Sequence, residues 1–129
     1  MIAKLLLEAT LDTLYMTFVS TFLAFVIGLG LAIILVITNK NGLKPNKAIY
    51  SALDIIVNTL RSFPFIILII VLFPFTKFIV GTSIGTTAAI VPLTIGSAPF
   101  IARLIENAMN EVDHGIIEAA LSYGATKTQ

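Results

Sequence analysis

The sequence predicts an all-α, polytopic membrane protein built from three transmembrane helices, an interfacial helix and a short cytoplasmic helix. Composition is the first reason. Of 129 residues, 57% are hydrophobic and 12% charged, and a soluble domain of this length cannot enclose that much apolar surface in one core. The second reason is the spacing of charge: long apolar stretches are bounded by clusters of Lys and Arg. The third is what is absent. The chain has no Cys and no Trp, and its net charge is +1. That excludes disulfides, thiolate metal sites and cysteine nucleophiles, and neither a basic nucleic-acid surface nor an acidic disordered tail is present.

The first span covers residues 14–37, which contain no charged residue. As a helix it reaches about 36 Å, more than the roughly 30 Å hydrocarbon core, so it is expected to tilt. A cleaved signal peptide fits poorly, because the run is too long and Glu8 and Asp12 stand where positive charge belongs. Residues 1–13 are expected as an extracytoplasmic N-terminal segment. Asn39-Lys40-Asn41-Gly42 and Pro45 then interrupt the pattern. From Lys47 to Leu60 the chain is amphipathic, with Ile49, Leu53, Ile56, Val57 and Leu60 at helical spacing opposite Ser51, Asp54 and Asn58. The second span is read over residues 63–80, after Arg61-Ser62. A tight turn follows from Gly81 to Gly85, and the third span covers 86–105 with Arg103 near its end.

Charge orients the spans. One side of the membrane would hold Lys40, Lys44, Lys47, Arg61, Arg103 and Lys127, the other Lys4 and Lys77. The positive-inside bias therefore places the N-terminus outside and the segment after the third span, 113–129, in the cytoplasm.

Small residues mark close packing. Ser20, Ala24, Gly28 and Ala32 fall four apart and form a smooth ridge on the first span, which a neighbouring backbone can approach, either within the chain or across a subunit interface. Gly81, Gly85 and Ala89 repeat that spacing. Pro64, Pro74, Pro92 and Pro99 each remove a helix hydrogen bond, which fits helices lining a path and fits ordinary kinks equally.

The chemistry for self-sufficient active transport is missing. No acidic residue or His falls inside any expected span, so no intramembrane proton relay is visible. Thr17, Ser20, Thr21, Thr87, Thr94 and Ser97 are the hydroxyls well inside. The single His114 reads as a solvated loop residue. No Walker-type phosphate loop is present, so this chain would not hydrolyse ATP.

After Arg103 the chain leaves the membrane and reaches a short helix that Asp113 would cap at its start and Gly124 would end in a left-handed conformation. Ile116, Ile117, Ala120 and Leu121 form one apolar face, Ala119 and Ala120 keep the helix slim, and Glu118 adds a carboxylate. Two to three turns are marginal alone, so this helix needs a groove to lie in.

Glu118-Ala119-Ala120, with Gly124 four residues beyond and a membrane exit before it, resembles the EAA loop of type I ABC-importer permeases. Arg61-Ser62-Phe63-Pro64-Phe65-Ile66-Ile67-Leu68, Pro74-Phe75-Thr76, Val80-Gly81-Thr82, the stretch 84–96 and Pro99-Phe100-Ile101-Ala102-Arg103-Leu104 resemble the permease of the methionine importer family. The resemblance covers nearly the whole chain from Leu14 onward. It implies that Glu118, Ala119, Ala120 and Gly124 couple to an ATPase subunit, which would bind ATP and Mg²⁺, this chain having no cofactor of its own. It also implies a second permease copy, an extracellular substrate-binding lipoprotein, and a multi-pass position in the bacterial plasma membrane. No substrate-contacting residue is carried over.

Two features depart from the family. Asp113 stands where proline is common, and the chain ends at Gln129 where the loop and two further spans would continue. A fragment is therefore expected. The rival readings are a small self-assembling channel or exporter, and a membrane anchor without a transport role. The lack of intramembrane charge argues against the first, and Phe-, Pro- and Gly-rich spans argue against the second.

Overall fold

The computed structural model describes residues 1–129 apart from Ser83, Asp113, Lys127, Gln129 and the side chain of His114. The expected cap at Asp113, the reading of His114 and the side taken by Lys127 therefore lie outside the described residues. Among the described residues all regular structure is helical, in the order α1 (Ile2–Thr38), α2 (Lys47–Ser62), α3 (Phe65–Val80), α4 (Thr86–Asn110) and α5 (His114–Ser122).

Helix α1 runs unbroken through residues 2–13, most of the stretch expected as an extracytoplasmic N-terminal segment. Glu8 and Asp12 end the uncharged run but do not end the helix, because no Gly or Pro lies there and Leu, Ala, Glu and Lys are good helix formers. Thr10 and Thr13 satisfy their hydroxyls locally on the carbonyls of Leu6 and Ala9. At 37 residues the helix is about 55 Å long.

The second span starts later than expected. Pro64 has no N–H to donate and restricts Phe63 to extended backbone, at φ −74° and ψ 131°. Helix α2 therefore stops at Ser62, and the chain turns by 114° into α3. With 16 residues, α3 spans about 24 Å, less than the hydrocarbon core. Helices α1 and α4 are each long and apolar enough to cross a membrane, and the bent α2–α3 pair is the third candidate.

At the far end of α3 the turn is set by backbone rather than by packing. Gly81 at φ 93° and Gly85 at φ 116° flank it, and nothing lies within 4 Å of a Cβ built on either. The spacing of Gly81, Gly85 and Ala89 is consequently not a helix ridge, because only Ala89 lies within a helix.

The main packing is α1 against α4. Tyr15 on α1 lies beside Thr87 on α4, hydroxyl to hydroxyl at 3.4 Å. A Cβ on Gly28 would meet Ile101, Ala98 and Ala102. Matching advances along both helices mean that they run parallel, as the first and third of three antiparallel crossings must. This puts the loop after α1 at the same end as the C-terminal part of α4. The loop is held there by backbone bonds from Lys44 to Ile37 and from Asn46 to Thr38. The side chain of Asn46 starts α2 by accepting from the Ile49 N–H. Lys40, Lys44, Lys47 and Arg103 thus share one end of the molecule, with Lys77 at the other.

Candidate coupling site

The end of the molecule that carries the positive charges also carries α5. Helix α4 continues past Arg103 to Asn110, since residues 104–110 hold no breaker, and a turn at Glu111 and Val112 leads into α5. Among the described residues α5 packs against no other helix. Ile116 is 63% exposed and Leu121 38% exposed. The apolar face is therefore open, while α1 to α4 bury theirs on one another or leave it to lipid. Glu118 lies mid-helix, and Ala119 and Ala120 are exposed beside it.

Gly124 sits at φ 97°. Its N–H donates to the Leu121 carbonyl at 3.1 Å, and the Ala125 N–H donates to the Ala120 carbonyl at 3.1 Å. These two bonds make a Schellman cap, which satisfies carbonyls that α5 would otherwise leave unpaired. A Cβ on Gly124 would meet nothing within 4 Å, so glycine is there for its backbone alone.

The small-residue ridge lies elsewhere, along α1. Ser20, Ala24, Gly28 and Ala32 are all buried, and Gly28 lies against α4 of the same chain. Among the described residues Ser20 Oγ has no hydrogen-bond partner, so its role there is smallness rather than hydrogen bonding.

A polar cluster joins α2 to α4 ahead of the α4–α5 turn. Arg103 Nη2 donates to Asp54 at 2.7 Å and to Asn58 at 2.8 Å on α2, while Nη1 donates to Glu106 on its own helix. Glu106 is 2% exposed and also accepts a hydrogen bond from the Tyr50 hydroxyl at 3.3 Å. Glu106, one residue past the expected end of the third span, is thus a buried carboxylate of α4.

The amphipathic reading of α2 changes accordingly. The stripe facing the protein is Tyr50, Leu53, Asp54, Val57 and Leu60, while Ile49 and Ile56 stay exposed. The signal was available as complementary pairs at helical spacing, Tyr50–Asp54–Asn58 on one segment and Arg103–Glu106 on the other. It could be read only by knowing that the two segments meet.

Two clefts flank α3. One of about 250 Å³ lies in the α2–α3 elbow, between Arg61, Phe65, Gly96 and Phe100. The other, of about 310 Å³, lies between α3 and α4, where Phe73, Ala88 and Pro92 surround the buried hydroxyl of Thr76, which has no hydrogen-bond partner among the described residues.

Residues 24–129 match the family described as binding-protein-dependent transport system inner membrane component. The chain belongs to that family. The D-methionine transport system permease protein MetI of Salmonella typhi is 52% identical over 125 residues, which cover 97% of this chain and 58% of that protein. The corresponding probable D-methionine permease of Vibrio cholerae is 54% identical over 127 residues, covering 98% of this chain and 56% of its own length. Two solved structures of the MetNI methionine ABC transporter, in inward-facing conformations, superpose with TM-scores of 0.96 and 0.92. They are 51% and 52% identical, cover 99% and 97% of this chain, and are covered over 59% and 58% of their own chains. The chain thus spans somewhat over half the length of the relatives it matches. As a member of this family it is an inner-membrane transport component.

Proposed function

We propose that the chain forms part of the permease subunit of an ATP-binding cassette importer, contributing to the transmembrane path for methionine or a related amino acid. The observation that carries this reading is α5: a capped helix of 9 residues with an open apolar face, hung on the end of a membrane helix. A solvated loop has no use for such a face, and a helix this short needs a partner to lie in. The partner is the ATPase subunit, which binds ATP and Mg²⁺ and hydrolyses the nucleotide. Glu118, Ala119, Ala120 and Gly124 belong to the contact. A second permease copy completes the path, and an extracellular binding protein delivers the substrate. Closure of the ATPase dimer draws α5 with it and moves the spans.

The N-terminus of α1 lies outside and α5 in the cytoplasm, following the positive charges gathered at the α5 end. Single cysteines in place of Asn41 and Ser122 are expected to be shielded from an impermeant thiol reagent in intact cells, and one in place of Gly81 to be labelled. The chain has no native cysteine, so the background is clean. Labelling at Asn41 or Ser122 from outside would invert the topology and remove the ATPase from reach of α5. The functional test uses the full permease that carries this segment, co-expressed with a methionine-importer ATPase. Co-purification and ATP-dependent methionine uptake in proteoliposomes are expected. Passive flux of solutes without the ATPase would favour the self-assembling channel instead.

A further inference from the structure

We infer that Arg103 is a positioning residue for coupled transport, the group that makes α2 follow the end of α4 from which α5 hangs. The inference rests on the importer reading above and deepens it. Helix α2 makes no packing contact with α3, although the two are consecutive; its contacts are with α4 and α1. Val57 is the one residue of α2 that is fully buried. Hydrophobic packing alone therefore holds α2 weakly, and the polar cluster supplies the remaining tie. A single guanidinium spans both sides of it, with Asp54 and Asn58 on α2 and Glu106 on α4.

Geometry makes this tie directional. The planar guanidinium fork fixes the angle between its partners as well as their distance, which a point charge does not. Glu106 has a side chain 3% exposed, and leaving a carboxylate so buried without its partner is costly. Movement of α4 therefore carries the cluster as one body, and α2 with it. Because α2 meets α3 at a 114° elbow fixed by Phe63-Pro64, a shift of α2 changes the tilt of α3. The α3–α4 cleft beside Thr76 then opens or closes. Without Arg103, α5 could still seat on the ATPase, but its movement would reach α3 only through the direct α3–α4 packing and no longer through α2 and the elbow.

The test uses the full permease carrying this segment, assembled with its ATPase in proteoliposomes. Arg103→Gln is expected to keep the ATPase bound and hydrolysing ATP, while substrate moved per ATP falls about fivefold or more. Asp54→Asn leaves Glu106 paired and weakens only the bond to α2, so it is expected to give a smaller fall. Arg103→Lys keeps the charge without the fork and should recover part of the loss. In the double variant Asp54→Cys/Arg103→Cys, a short bis-maleimide bridge should raise substrate moved per ATP again, a rescue that a merely structural residue would not show. Should Arg103→Gln fail to insert, Asp54→Asn and the bridged pair decide the matter.

An unchanged ratio in Asp54→Asn together with no effect of bridging would overturn the inference. So would dissociation of the ATPase in Asp54→Asn, which would make the cluster an assembly contact. These failures are separable from failure of the importer reading. In that case Gly124→Val, which does not touch the cluster, would leave the ATPase bound and transport normal.

Discussion

Replacing Gly28 with Leu is expected to separate α1 from α4 and to lower the stability of the chain in detergent by about 3 kcal/mol, the upper end of overpacking effects. The added Cβ alone would stand 2.9 Å from Ile101 Cγ2, 3.0 Å from the Ala98 carbonyl oxygen and 3.1 Å from the Ala102 nitrogen. Ile101 can rotate away, but the other two neighbours are backbone and can yield only if the helices move apart. A leucine then adds three further carbons in the same direction. Because the ridge gathers Ser20, Ala24 and Ala32 on the same face, forcing α4 off at Gly28 loosens the contact over several turns.

Leu29→Ala is the control. Leu29 is half-buried, one position round the helix, and what it loses on truncation is largely contact with lipid, which refills the space. Its cost is expected to be about 1 kcal/mol or less. Thermal unfolding of the purified chain measures both variants. Equal stabilities would mean that the α1–α4 contact does not hold the helices together.

The second large effect is expected at α5. Gly124→Val places a β-branched residue at φ 97°, a region such side chains almost never occupy, with a penalty of at least about 1 kcal/mol. The Schellman bonds from Gly124 and Ala125 would break first, and a helix of 9 residues has little left once its last turn frays. Ala120→Arg acts differently: the backbone stays helical, but a long charged side chain enters the apolar face beside Ile116 and Leu121.

Neither change touches α1 to α4, since α5 packs on none of them among the described residues. Membrane insertion and span stability are therefore expected to stay normal. Affinity for the ATPase should fall at least about tenfold, or 1.4 kcal/mol, and methionine uptake should fall with it. Pull-down from solubilised membranes and uptake in proteoliposomes are the measurements. Two variants that bind the ATPase and transport normally would reduce α5 to a solvated helix and leave the importer reading without its carrying observation.

Much of this protein is legible along the chain because lipid makes local patterns decisive. An uncharged run in a membrane protein has to become a helix that satisfies its own backbone, so the three apolar stretches, the α3–α4 turn and the amphipathic segment could be read directly. Gly124 and the small-residue ridge were equally readable, as a cap and a close approach need particular residue types whatever surrounds them. Helix ends were less so. Charge at Glu8 and Asp12 stops hydropathy but not hydrogen bonding, and α1 runs on to Ile2.

What only the tertiary structure decided concerns which faces meet. The ridge could have served a neighbour within the chain or in another subunit, and the parallel α1–α4 contact places it within. The spacing of Gly81, Gly85 and Ala89 matched a ridge by count, but the two positive φ angles put the glycines in a turn. Above all, Asp54 read as part of the polar face of α2, opposite its apolar residues, because 49 residues separate it from Arg103. Periodicity assigns a face to each helix separately. Whether a charge on that face is solvated or neutralised depends on the partner helix, and the elbow at Pro64 brings α2 to Arg103.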